Sequence, residues 1–330
     1  MAITRNDGRI RRMTDRELSR ALARHYDGLE LFANGAAEDA VLEFQRAEAE
    51  IRELAREAWS RIRSQGGAGR DLPTVEYLRM VRRRLEEIRN DVLEDALETL
   101  SVAADEAART HGSFLLPFAF AAGMGAVLEL GERDYRDILE YGVYGSDARR
   151  ELLARLLDGD VSRVYDAMAR GIRDGAPLDR MLEAVEDELL KTRRHARGAA
   201  EAVVNGAAND ASMAFAAGNG MRLLYSAVMD SRVCEECASL DGTVYEHDDI
   251  GIPSLPRHVN CRCELIPLPP DYSGGADIEP FGDYASSLDD EELAERLGGG
   301  DATSGRFVPP PEGVRLSAAE LASRDREIFS

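Results

Sequence analysis

The sequence predicts a mainly α fold: an elongated helical hairpin or bundle, then a small β-rich module, then an extended C-terminal tail. Three observations carry that prediction. Apolar residues recur at spacings of three and four through most of the first 220 positions. One stretch of thirty residues holds all four cysteines beside alternating apolar positions, and the last sixty residues are rich in Gly, Pro and acids. The predicted segments are an N-terminal helical hairpin (1–112), an apolar connector (113–133), a second helical part (134–222), the cysteine-bearing β module (223–270), and an acidic linker with a terminal helix (271–330).

Composition bounds what such a chain does. A hydrophobic content of 44% in 330 residues fills a real core, and with aromatics at 6% that core is mostly Leu, Val, Ile and Ala. The formal net charge of -21 excludes wrapping nucleic acid, because phosphate binding needs a positive footprint. Lys191 is the single lysine. Acid excess with arginine as nearly the whole basic complement fits adaptation to molar salt, and equally an arginine-rich codon usage. The opening "MAITRNDGRIRRMTDREL" lacks the apolar core of a secretory signal and predicts assembly in the cytoplasm.

In chain order, Thr14 and Glu17 form a capping box, and Leu18, Leu22 and Leu29 continue an apolar stripe. Leu78, Val81, Leu85, Ile88 and Val92 make the seam of a second helix, with the glycine-rich break "SQGGAGRDLP" between the two, so an antiparallel hairpin is expected. The arginine clusters at 9–12 and 82–84 read as solvated helix faces with partners such as Glu86 and Glu87. Glu48-Ala49-Glu50 has the Glu-x-Glu form of ADP-ribosyltransferases, but lies mid-helix and reads as surface. Within the apolar run 111–130 the uncharged stretch from Gly112 to Leu128 is short of the ~20 residues that span a bilayer and carries Pro117, so the run is expected against protein, not in a membrane. Val161, Val164, Met168 and Ile172 form a further stripe, and Leu178, Leu182, Val185 and Leu189 the next, running into an alanine-rich stretch at 196–217. His195, among arginines on that helix, reads as a surface histidine without a chemical role.

The cysteines follow. "MRLLYSAVMDSRVC" reads as a strand, Asp241-Gly242 as a two-residue hairpin turn, and "CRCELIPL" as another strand that turns Cys261 and Cys263 to one face. Cys234 and Cys237 then sit on a knuckle between strands. Tetrahedral zinc takes four thiolate or imidazole ligands, commonly as two local pairs, and Cys234, Cys237, His258, Cys261 and Cys263 offer five candidates for those four places. The module is therefore expected to be a zinc knuckle, with Zn2+ as its cofactor. Two disulfides are the alternative for an oxidising compartment. A thioredoxin-like pair would need a βαβ context, and an HNH-type nuclease a second histidine downstream of His258, which the sequence does not have.

The array "MDSRVCEECASLDGTVY … PRHVNCRCELIPL" resembles the C-terminal signature of the phage Mu protein F-like head morphogenesis family, the minor head proteins of tailed viruses. Asp230, Arg232, Cys234, Cys237, Asp241, Gly242, His258, Cys261, Arg262 and Cys263 carry the resemblance, which extends over about 134–270. It implies a structural, non-enzymatic virion component, in the capsid interior or at the portal vertex, acting in head morphogenesis, DNA packaging or genome delivery. Its implied partners are the viral portal protein and other head proteins, with transient contact with packaged DNA, and no small-molecule substrate or membrane. The acid and arginine bias adds a haloarchaeal host to that expectation. The competing classes are a zinc-dependent nuclease or toxin and a host zinc-knuckle adaptor; some relatives carry a C-terminal toxin domain, for which sixty residues are too few.

Those sixty residues hold 14 acids against 5 arginines, a net of -9. Near the end Ser317 and Glu320 form a capping box and Leu316 and Leu321 a hydrophobic staple. One reading is a docking helix that binds a partner through Leu316, Leu321, Ile328 and Phe329; the other is a solvated tail.

Overall fold

The structure of the protein, a computed structural model, describes residues 2–6, 8–64, 72–227, 233–258, 261–269 and 315–329. In chain order the elements are β1 (Ile3–Arg5), α1 (Asp15–Ser64), α2 (Leu72–Ala121), β2 (Ala126–Leu128), α3 (Glu132–Tyr141), α4 (Ser146–Arg173) and α5 (Leu178–Asn219). β3 (Arg222–Ser226), α6 (Glu235–Leu240), β4 (Val244–Tyr245), β5 (Glu264–Leu268) and α7 (Ala318–Ile328) follow. The chain is mainly helical with a small β module, as the periodicities predict. It divides into two compact units, the first formed by 1–36, 101–146 and 201–330, the second by 37–100 and 147–200.

The second unit is built from segments of α1, α2, α4 and α5. Each supplies one apolar stripe at helical spacing, and the stripes close on a core that includes Ile62, Leu78, Val81, Leu85, Val164, Met168, Ile172, Val185 and Leu189. These are the seams the sequence marks, and the Arg84–Glu50 ion pair joins α1 to α2 in antiparallel sense. The expected helical partners of the arginines are also present: Arg82 pairs with Glu86 at 3.2 Å and Arg84 with Glu87 at 2.8 Å. Such exposed pairs add little, because solvent and salt screen them.

Glu48 corrects the sequence reading. It is 3% exposed, not a surface residue, and accepts hydrogen bonds from Arg193 Nε at 2.6 Å and Arg52 Nη2 at 2.8 Å. Its place was visible in the spacing, because Phe44, Glu48 and Ala55 fall on one helical face and both apolar neighbours are buried. A carboxylate on that face is tolerated because two guanidiniums meet it there.

In the first unit the capping box at the start of α1 forms as expected: Thr14 N donates to Glu17 Oε2 at 2.8 Å and Glu17 N to Thr14 Oγ1 at 3.4 Å. The apolar run at 113–130 is divided between two elements. Residues 113–121 are the last turns of α2, continuing past Pro117, with Phe114, Leu115 and Phe118 buried. β2 then pairs antiparallel with β1, with Ile3 opposite Leu128. Among the described residues no helix is long and apolar enough to cross a membrane. The second sheet has the order β4-β3-β5, antiparallel throughout, with Leu224 opposite Ile266 and Tyr225 opposite Leu265.

Leu85, 2% exposed, also lines a cavity of about 40 Å³ within the second unit, so truncating it enlarges a space its neighbours have not filled. Leu85→Ala should lower stability to denaturant by about 2–5 kcal/mol, whereas Met80→Ala, on the opposite face of the same helix and 55% exposed, should change it by less than about 0.5 kcal/mol. Equal costs at the two positions would contradict this assignment of the helix faces.

Candidate metal centre

The C-terminal half of α5 holds the backbone on which the centre stands. Asn209, 1% exposed, accepts the Leu265 N–H at 2.7 Å through Oδ1 and donates through Nδ2 to the Cys263 carbonyl at 3.2 Å. One turn earlier Asn205 Nδ2 donates to the Cys261 carbonyl at 3.4 Å. Two buried amides at i and i+4 thus grip the segment just before β5, where two of the cysteines lie. Both Cys261 and Cys263 precede β5 instead of sitting within it, a shift from the expected strand. They are 2% and 4% exposed and both belong to one close cluster.

The other pair differs more from expectation. Cys234 and Cys237 do not lie on a turn between strands: Cys234 is the N-cap of the short helix α6, and its sulfur accepts the Cys237 N–H at 3.4 Å. Asp241-Gly242 makes a turn, but a type II turn joining α6 to β4. Asp241 has φ -55° and ψ 135°, Gly242 has φ 76°, and Thr243 N donates to Leu240 O at 3.0 Å. The positive φ is what requires glycine there. Asp241 Oδ1 also accepts the Ala227 N–H at 2.8 Å, fastening the turn to the end of β3.

These elements bring the five predicted donors together as two triads that share the Cys237 thiol. One is Cys234, Cys237 and His258, the other Cys237, Cys261 and Cys263, with the donor atoms of each within 4.8 Å of one another. His258 Nε2 lies 3.2 Å from Cys234 Sγ and 3.5 Å from Cys237 Sγ, and Cys237 Sγ lies 3.9 Å from Cys261 Sγ. Bonds of ~2.3 Å to sulfur and ~2.05 Å to nitrogen in tetrahedral geometry place sulfur–sulfur edges near ~3.8 Å and sulfur–nitrogen edges near ~3.5 Å. The donor set and these separations fit a metal ion held by thiolates and one imidazole. All four cysteines are free thiols, so the disulfide alternative is not what the structure shows.

The electrostatics agree. The backbone N–H of Cys237 draws the Cys234 thiol below its ordinary value, and a hydrogen bond from Cys263 draws Cys261 down to about 5. Burial pushes Cys237 up, and the neighbouring Cys261 sulfur, with burial, pushes Cys263 up. Four sulfurs this close cannot all ionise together without a cation to neutralise them. Tyr225, fully buried in β3, has its hydroxyl beside Cys237 and Cys263 without meeting hydrogen-bond geometry, and burial raises it well above the ordinary phenol range.

The remaining expected residues are placed as follows. Asp230 and Arg232 lie outside the described residues. His195 is half exposed, with Nδ1 3.6 Å from Oδ1 of the buried Asp160. The terminal helix is capped as the sequence indicates, Ser317 N donating to Glu320 Oε2 at 2.8 Å. Leu316, Leu321, Ile328 and Phe329, expected on a partner's surface, belong to a helix seated on its own chain: Leu321 is fully buried against Gly28, and the Phe329 ring lies 5.6 Å from that of Phe114. That seat includes two buried residues the sequence reading passed over, His25 and His111. Their signal was available, since each falls on the apolar stripe of its helix where a leucine would be expected.

Asn209→Ala should cost about 1–3 kcal/mol, because it leaves the Leu265 N–H and the Cys263 carbonyl buried without a partner. The effect should appear in thermal melting with metal present and with chelator; an unchanged melting temperature would show that the two asparagines do not hold the cysteine segment.

No curated protein and no solved structure matches the chain. One family model does, over residues 162–266, which begin in α4 and run through α5, β3, α6, the turn, His258 and the two later cysteines to β5. Over that segment the chain is similar to the family described as phage Mu protein F like protein.

Proposed function

We propose that the protein is a non-enzymatic minor head protein of a tailed virus that associates with the portal and acts in head morphogenesis, its C-terminal module stabilised by one zinc ion. The observation that carries the reading is the coincidence of the family match at 162–266 with the five-donor cluster, which lies wholly inside it. A head role accords with the chemistry of the surface. A net charge of -21 repels packaged DNA, so contact with it is transient and the binding partners are proteins, the portal and its neighbours in the head. The chain carries no small-molecule site in this reading.

Zinc is the metal that matches three sulfurs with one imidazole in tetrahedral form. Cys234, Cys237 and His258 supply three ligands and Cys261, 3.9 Å from Cys237, the fourth; Cys263 stands beside them outside the ligand set. The ion would fix the loop that bears His258 to α6, replacing the extensive core that a module of this size lacks. Purified full-length protein should contain about one zinc per chain. Cys261→Ser should lose it and Cys263→Ser retain it, by elemental analysis. Protein free of zinc, or loss confined to Cys263→Ser, would overturn the assignment.

Portal association is tested in particles. Mass spectrometry of purified heads should find the chain in low copy, and portal protein should be retained by the tagged chain from cells expressing the two alone. A chain present only in the soluble fraction of infected cells and absent from particles would refute the head reading. Presence in heads without portal retention would refute the portal contact alone.

A further inference from the structure

The seat of α7 is a built recognition groove. Leu321, Asp325 and Phe329 stand at i, i+4 and i+8, so all three face one way, and each meets a different feature of the first unit. Gly28 on α1 is a notch: a Cβ there would collide with Leu321 Cδ1 and lie 3.8 Å from Leu316 Cδ1. Gly35, two turns along, lies under the segment that leads into α7: a Cβ there would sit 3.2 Å from Arg315 Cβ. At the other end Phe114 stacks on His25 with ring centroids 3.8 Å apart and meets Phe329 at 5.6 Å.

Between these apolar ends the groove reads a charge. Asp325 is 7% exposed, and both its oxygens lie 3.0 Å from His25 Nδ1. His25 Nε2 lies 2.8 Å from His111 Nδ1, and His111 Nε2 lies 2.7 Å from Ser212 Oγ. His25, His111 and Ser212 are all essentially unexposed. One set of donors satisfies the whole chain: His25 Nδ1–H to the carboxylate, His111 Nδ1–H to His25 Nε2, and the Ser212 hydroxyl to His111 Nε2. Burial holds His111 neutral, as this set needs. Without an acid at the helix's middle position His25 Nδ1–H would be buried with no acceptor, so the groove discriminates for Leu-x3-Asp-x3-Phe and against apolar helices of the same shape.

The covalent connection does not decide whose α7 fills it. The 45 residues at 270–314 can span up to about 150 Å when extended, several times the ~30 Å diameter of a small domain. The same bonds form in cis or in trans, so the choice is set by concentration: the effective concentration of a linked helix falls as the connecting chain lengthens, and copies gathered closely enough compete with it. We propose that the groove formed by His25, Gly28 and Phe114 is an exchange site for α7 of a second copy, so that neighbouring chains link through swapped terminal helices. This holds whether or not the assembly is viral.

The test uses the full-length chain with a photo-cross-linking benzoylphenylalanine in place of Arg324, an exposed position whose guanidinium reaches toward Gly28. Isotopically heavy and light chains are refolded together at concentrations from micromolar to millimolar and irradiated, and the cross-linked peptides are sequenced. Joined peptides of mixed label between position 324 and the Gly28 region should rise with concentration, toward half of all such links. Links of one label only at the highest concentration would overturn the proposal. Adding Asp325→Asn should reduce mixed links about tenfold or more, from loss of the charged hydrogen bond. Mixed links that persist undiminished in that variant would show a contact elsewhere than the groove, and would equally overturn it.

Discussion

The amide of Asn209 makes three hydrogen bonds at once, to the Leu265 N–H, the Cys263 carbonyl and the Asn205 carbonyl one turn behind it. The first unit depends on this residue and its neighbours on the same half of α5. Asn205 holds Cys261; Asp210 accepts the Val143 N–H at 2.8 Å; Ser212 ends the histidine chain; Asn219 donates to the Leu128 carbonyl at 3.0 Å and accepts the Leu128 N–H at 2.6 Å. The rest of this stretch is largely alanine, with Ala202, Ala207, Ala208, Ala211 and Ala216 all buried. Short side chains let neighbouring backbones come within reach of a two-carbon amide. A leucine-faced helix would keep them farther away.

That arrangement explains how a loop-rich module can hold its cysteines in register. Buried polar groups are costly unless satisfied, so a helix that presents Asn and Ser to specific backbone groups penalises every other alignment. The cost falls on Asp210 as well: burial raises it to about 7, from which its carboxyl gives up the proton only near neutrality. In the second unit the same principle appears with charge, where Glu48 draws Arg52 and Arg193 to a buried position. Neither device adds much net stability by itself; each makes one arrangement the only satisfied one.

The helices were legible because their signal is local. Stripes such as Leu78, Val81 and Leu85, or Val161, Val164 and Met168, need only one turn of chain to be seen, and both capping boxes form between residues three apart. The five metal-ligand candidates were legible for the same reason, since two short cysteine pairs and one histidine identify themselves by type. What spacing could not show was which side of a strand boundary they occupy: Cys234 caps a helix, and Cys261 and Cys263 precede β5, because Asn205 and Asn209 act across more than fifty residues. The destination of the terminal helix was hidden likewise. Its apolar face was evident, but the matching groove combines a glycine notch and two histidines on helices three hundred and two hundred residues away; the stripe position of each histidine shows that it is buried, not which distant helix it meets.

The account stands most directly on the claim that α5 and the strand it grips form one structural unit. Native-state hydrogen exchange on the full chain measures this residue by residue. The Leu265 amide should exchange in the slowest class of the first unit, with the amides of 203–215, and only through the same opening. If Leu265 exchanges markedly faster than those helical amides under conditions where the chain stays folded, the strand opens without the helix, and the buried asparagines do not organise the site.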